Sequence, residues 1–233
     1  MNHISRLNKV SNDLWAMQRV INTFDDQGNP REFTSRMTVV RLTNGALFLH
    51  SPVTLDTNLQ AELQQLGTVA FIVAPNLLHH LFVKDYVVAY PDAQAFAAPG
   101  LPEKCPDVAF HGALSDDRAL VPGEIEHIVV RGHAANEVAF LHVGSRTLIL
   151  ADLAYNIRED SPTWEREWFQ KHEAYGEFAL AKYQRARVTN SHAARASLRR
   201  ILAWDFDRVI VGHGHVQEGG GKQAFERIWS WLL

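Results

Sequence analysis

Apolar residues fall along this chain in short β-branched runs and in stripes at helical spacing, separated by Gly, Pro and Asn. The runs Asp13–Gln18, Met37–Leu42 and Ala46–His50 read as strands, and the hairpin signal Asn44-Gly45 joins the last two. The segment from Asp25 to Pro30 between the first two is turn-rich. Leu55, Leu59, Leu63 and Leu66 recur at i, i+4, i+8 and i+11, which predicts an amphipathic helix stopped by Gly67. Val69–Ala74 is a continuous apolar run, the mark of a buried strand, and Pro75 ends it because proline cannot donate to a ladder. Asn76 to His80 then lead into a helical pattern that reaches about Tyr90.

The second half repeats both patterns. Gln94–Ala98, Ile125–Val130, Val138–Val143, Thr147–Leu150 and Val209–Val211 read as strands. A helix is predicted to carry Trp164, Trp168 and Tyr175 and to stop at Gly176. A second, capped from Thr189-Asn190-Ser191, carries Leu198, Ile201 and Leu202. A terminal helix places Phe225, Ile228, Trp229 and Leu232 on one face. Trp164, Trp168 and Trp229 are expected in the core, whereas Trp231 falls off the apolar face and marks a candidate interface. Strands and helices in this alternation predict one layered α/β domain over residues 1–233.

Composition narrows the function classes. With 46% hydrophobic and 21% charged residues the chain is an ordinary globular one, and a net charge of -3 gives no nucleic-acid footprint. Cys105 is the single cysteine, which excludes an internal disulfide framework and a cysteine-based zinc site. No base partner for it is visible in its proline-rich loop. The N-terminal residues have no apolar stretch of signal-peptide length, and no run approaches a membrane span. The expectation is a cytoplasmic protein acting on a small molecule, with no nucleic-acid or membrane partner and with homo-oligomerisation left open.

Chemistry is concentrated at strand ends. His79-His80, His133, Asp152 and His213 each follow an apolar strand and a turn residue or break. In α/β sheets ligands sit beyond the carboxyl ends of strands, and neutral imidazole with carboxylate is the usual donor set for zinc and similar metals. Each piece alone reads more simply as a turn or cap; four in series point to a metal site.

Arg131-Gly-His, Leu148-Ile-Leu-Ala-Asp-Leu and Val209-Ile-Val-Gly-His-Gly, with the histidine pair after Val69–Ala74, resemble the motifs of the metallo-β-lactamase superfamily over nearly the whole chain. The resemblance implies an αββα sandwich of two mixed sheets flanked by helices. It puts His133 at the Gly-His ligand position, Asp152 at the metal-bridging carboxylate and His213 at the late histidine. The leading His-x-His-x-Asp-His motif matches in place but not in letters. With His80 at its last histidine, its first three positions hold Pro75, Leu77 and His79.

The three-histidine site should therefore not form, and the resemblance implies at most one metal, held by His79, His80, Asp152 and His213. The ion would be divalent, zinc first, with iron or manganese suited to the same donors. On this reading the chain is a hydrolase that attacks an ester, thioester, amide or phosphoester with metal-bound hydroxide. Asp152 orients the water and His133 assists as oxyanion donor or proton shuttle. Asn76, His50 and Tyr155 are the candidate substrate contacts, and His215 is an alternative to His213. Two other readings stay open: a binding or structural protein on the same fold with a lapsed, metal-free site, and an iron-dependent redox enzyme.

Overall fold

The computed structural model describes residues 6–24 and 27–233. Residues 25 and 26, the start of the predicted turn at Asp25 to Pro30, lie outside them. One sheet holds seven strands in chain order: β1 (Asn8–Ser11), β2 (Leu14–Phe24), β3 (Pro30–Arg41), β4 (Ala46–His50), β5 (Thr68–Ala74), β6 (Gln94–Ala97) and β7 (Gly112–Ala113). Neighbours are antiparallel up to β4 and parallel from β4 to β7. The other sheet holds β8 (Ile125–Val129), β9 (Val138–His142), β10 (Thr147–Ile149) and β11 (Arg208–Ile210) in the order β11-β10-β9-β8. Only β10 and β11 pair in parallel. Both sheets are mixed.

Period-two alternation explains the layering, because successive side chains on a strand face opposite ways. Val40, Phe48, Val73 and Phe96 of the first sheet pack against Val129, Phe140, Ile149 and Ile210 of the second. Their sequence neighbours Val39, Leu49, Ile72 and Ala95 face outward and are covered through Leu59, Leu63, Tyr86 and Leu101. Those four come from α1 (Thr57–Leu66), α2 (Val83–Ala89) and α3 (Leu101–Lys104). The outer face of the second sheet is covered by α6 (Ser191–Ala203) and α7 (Gly221–Trp229), through Leu198, Ile201, Phe225 and Trp229. The architecture is an αββα sandwich. Two further helices, α4 (Thr163–Lys171) and α5 (Lys182–Ala186), precede α6.

The local signals act as expected at several places. Asn44-Gly45 joins antiparallel β3 and β4. The Asp56 side chain caps α1 through the Leu59 N–H, and the Asn190 side chain caps α6 through the Ala193 N–H.

Three elements differ from expectation. The helix before Tyr90 begins at Val83, not near Asn76, because the Asn76 side chain accepts the N–H groups of Leu78 and His79 and ties residues 76–79 into a turn. The tryptophan helix α4 ends at Lys171; Glu173 turns left-handed at φ 59°, and Tyr175 bridges to Ile157 instead. β2 runs on to Phe24, paired residue for residue with β3, although its second half is half-exposed and lacks an apolar alternation. Among the described residues no helix is long and apolar enough to cross a membrane.

The sandwich brings three strand ends together. His79 follows β5 of the first sheet, while Asp152 and His213 follow β10 and β11 of the second.

Candidate metal centre

His79 is held by its own turn and by Ser51. Ser51 sits at the end of β4 with a left-handed φ of 56°, a strained conformation for a non-glycine residue, and its N–H donates to Val73. That conformation places its Oγ 2.7 Å from His79 Nδ1. His79 therefore turns Nε2 toward the cluster, 3.6 Å from an Asp152 oxygen.

Asp152 is fixed from behind by Glu137, a fully buried residue that the sequence reading missed. Glu137 accepts the backbone N–H groups of Ala151, Asp152 and Leu153 at 2.8, 2.7 and 3.3 Å, and the Asn76 amide at 2.9 Å. One carboxylate thus shapes the turn after β10 and holds Asn76. Burial and the nearby Asp152 push the Glu137 carboxyl up to about 7, while its N–H donors favour the ionised form. The two Asp152 oxygens each accept one hydrogen bond, from Asn76 at 2.8 Å and from the Tyr155 hydroxyl at 3.0 Å. Burial alone would raise the Asp152 carboxyl, but His79 and His213 outweigh it and hold it well below the usual range.

His213 is oriented by groups on β3 and α4. Its Nδ1 donates to the Thr34 carbonyl. Glu165 of α4 lies 3.6 Å from the same nitrogen and accepts both the N–H and the hydroxyl of Thr34. The Arg36 guanidinium, buried with them, donates to the carbonyls of Val211 and Gly214 on either side of His213. Gly212 leaves the room this needs, since a Cβ there would lie 2.7 Å from His79 and 2.8 Å from the Ala151 carbonyl.

The result is one cluster. One ligand atom from each of His79, Asp152 and His213 lies within 4.8 Å of the others. Because a carbonyl can only accept, the proton on His213 Nδ1 is fixed, and in the neutral ring Nε2 carries the lone pair that faces the cluster. Two imidazole nitrogens and a carboxylate, each held by outer hydrogen bonds, fit a first-row divalent metal. Catalytic zinc sites have three such protein ligands, and non-haem iron takes the same two-histidine, one-carboxylate set.

The remaining predicted residues do not join it. His80, expected as a ligand, points its Nδ1 at Cys105 Sγ, 3.5 Å away, because the turn at Asn76 delivers its neighbour instead. That contact also gives Cys105 the imidazole neighbour that the sequence did not reveal. His133, expected as a catalytic group, is buried with Nε2 donating to the Gln184 carbonyl at 3.1 Å. Its Gly-His turn has a packing origin: a Cβ on Gly132, at φ 72°, would lie 2.3 Å from the Asn190 carbonyl. His215 pairs with Asp160 at 2.8 Å on the surface.

Asn76, His50 and Tyr155, expected to touch substrate, are all buried and line no part of the cavity beside the cluster. Asn76 and Tyr155 act on Asp152 instead. Among the described residues His50 has no hydrogen-bond partner on either ring nitrogen, and burial lowers it to about 3.

The cavity beside the cluster measures about 360 Å³ and reaches His79, Asp152 and His213 at its inner end. Trp164 and Trp168, expected in the core, are half-buried and line it with Phe33 and Phe169. Trp231 is 45% exposed.

A family profile described as "Domain of unknown function (DUF4336)" matches residues 30–201. The chain belongs to this family. No curated protein matches it in sequence. Its fold matches solved metallo-β-lactamases over nearly the whole chain. The DIM-1 metallo-β-lactamase exposed to ceftazidime superposes with a TM-score of 0.66 at 15% identity, covering 98% of each chain. The FIM-1 enzyme from Pseudomonas aeruginosa in its mono-zinc form gives 0.62 at 11%, covering 98% of this chain and 94% of that one. The metallo-β-lactamase from Pontibacter korlensis gives 0.64 at 11%, covering 98% of each. This member of DUF4336 therefore has a metallo-β-lactamase-like fold.

Proposed function

We propose that this protein is a metal-dependent hydrolase working with one divalent ion, zinc first and iron or manganese next, held by His79, Asp152 and His213. The observation that carries the reading is the orientation of His213, whose Nδ1 donates to the Thr34 carbonyl so that its Nε2 faces His79 Nε2 and the Asp152 carboxylate. An ion bound there supplies a Lewis acid and lowers the pKa of its water to roughly 7. The chain's own residues do the positioning. Tyr155 and Asn76 engage one lone pair on each Asp152 oxygen and leave the others facing the cluster. The reading is for one ion because Pro75 and Leu77 offer no donor and His133 is turned to Gln184.

The second reading, a metal-free binding protein, is favoured by one feature. Without an ion, His79, Asp152 and His213 already satisfy one another.

Elemental analysis of protein made without a histidine tag separates the two. About one equivalent of metal is expected, as for a three-ligand catalytic site, lost in His79→Ala and Asp152→Ala and kept in His80→Ala and His133→Ala. Folded protein that takes up no metal would overturn the reading in favour of the second, and two equivalents would overturn the mononuclear site.

A further inference from the structure

The cavity beside the cluster is mostly apolar, its lining adding Ser35, half-buried Tyr183 and His80 and exposed Lys104 to the buried ligands at its inner end. Ser51 joins the three ligands there, while Phe33, Trp164, Trp168 and Phe169 form one wall. Pro52, Leu78, Leu81 and Phe82 form much of the other. At about 360 Å³ it lies in the range of sites that enclose a small molecule. Outside the cluster and its neighbour His80, Lys104 is the one charged or titrating basic side chain on the lining, exposed and with its Nζ donating to the Leu77 carbonyl. Lys104 lies exposed with its Nζ engaged by that carbonyl, so an anionic tail seated among the apolar side chains would lose its water without gaining a cation there.

Leu78 and Leu81 are 45% and 60% exposed at this wall, apolar groups left in water by the fold itself. The opposite wall is preset. Trp164 and Trp168, one turn apart on α4, stack at 5.3 Å and 14°. Glu165 between them ties α4 to Thr34, the residue that orients His213. One helix thereby fixes the wall relative to the ligand cluster, and little side-chain freedom is lost when a guest enters.

We infer that the substrate is an ester or amide whose acyl group is large, apolar and uncharged, seated between the α4 tryptophans and Leu78–Leu81 with its carbonyl at the cluster. The inference rests on the hydrolase reading above. In the reaction, water adds to the carbonyl carbon, the C–O or C–N bond breaks, the alcohol or amine leaves with a proton, and the acyl group departs as its acid. Each methylene buried in such a wall multiplies affinity by about four.

The test uses the zinc-loaded full chain and two readouts. Binding of acetate, octanoate and suberate, measured by calorimetry, reads the cavity alone. Octanoate is expected to bind at least about 30-fold tighter than acetate, with suberate, charged at its far end, losing that gain. Hydrolysis of p-nitrophenyl acetate and octanoate reads turnover, and kcat/KM is expected to be at least about tenfold higher for the octanoate ester.

Trp168→Ala should reduce the octanoate advantage in both readouts, and the exposed substitution Leu81→Asp, which leaves the core untouched, should do the same. Equal binding of the three acids, or an advantage that survives both substitutions, overturns the inference. A clear octanoate preference in binding without turnover of either ester overturns the hydrolase reading and leaves the ligand class standing.

Discussion

The Nε2 atoms of His79 and His213 face each other at 3.1 Å, although the two residues lie 134 positions apart. With His213 Nδ1 committed to Thr34, a proton held between the two rings makes His213 an imidazolium flanked by Asp152 and Glu165. Burial would lower His213, but those two carboxylates raise it to about 10. Metal binding must displace that proton. Below pH 10, uptake should release one proton from His213, and affinity should fall about tenfold for each pH unit. Calorimetry of zinc binding in buffers of different ionisation heat measures this directly; a binding heat that ignores the buffer would contradict it.

A methyl group at position 212 has nowhere to go. Its neighbours would be the His79 ring and the backbone of Ala151, so either a ligand or the Asp152 turn must shift. Gly212→Ala is expected to weaken metal binding by at least about tenfold, since ligand geometry is what such a site depends on. Competition with a chromogenic chelator would show it, and an unchanged constant would mean the turn yields without moving its ligands.

Glu137→Gln replaces an acceptor-only group by one whose amide faces N–H donors. At least one buried backbone N–H loses its partner, and destabilisation of about 2–4 kcal/mol is expected. Urea unfolding reads this. A variant as stable as the parent would mean that the turn after β10 holds itself.

His50 sets a pH dependence of its own. Burial first, then His79, depresses it to about 3 from 6.5, so the unfolded chain takes up a proton that the folded one refuses. Its contribution to stability is intact above pH 6.5 and declines by up to about 1.4 kcal/mol per unit as pH falls toward 3. His50→Leu should lose less stability than the parent between pH 7 and pH 4.5. Parallel losses in urea titrations at the two pH values would remove His50 as the cause.

His133→Ala separates packing from ligation. The ring donates to the Gln184 carbonyl, which keeps the Arg187 N–H, and accepts from Ala135, so its loss leaves the Ala135 N–H without that partner and should cost about 1–3 kcal/mol. Metal content should stay unchanged; loss of the ion with the fold intact would return His133 to the ligand set.

Strand ends were readable because β5, β10 and β11 are short apolar runs bounded by breaks, and chemistry follows such ends. Which of two adjacent histidines turns inward was not readable. It depends on the Asn76 turn and on Ser51 Oγ, 28 positions away. Gly132-His133 looked like a ligand turn because the demand for glycine comes from Asn190, far along the chain. Glu137 and Arg36 carried no local signal beyond lone charges beside or within strands, and Glu165 none beyond one charge in the helical run Glu165-Arg166-Glu167. Their partners lie up to 178 positions away. The tryptophans at helical spacing read as core because periodicity reports an apolar face and not whether protein or a cavity covers it.

One ligand comes from the seven-stranded sheet and two from the four-stranded one. An ion among them would be a rivet through the two layers as well as a reagent. Emptied, that seam keeps the bonds of Arg36 and Thr34 to the loop after β11 and the packing of Phe48 on Phe140, and gives up only the fastening that the ion itself would add. The supply of metal would then decide how firmly the halves of the sandwich are fastened, and breathing of the layers would be a property of the ion's comings and goings.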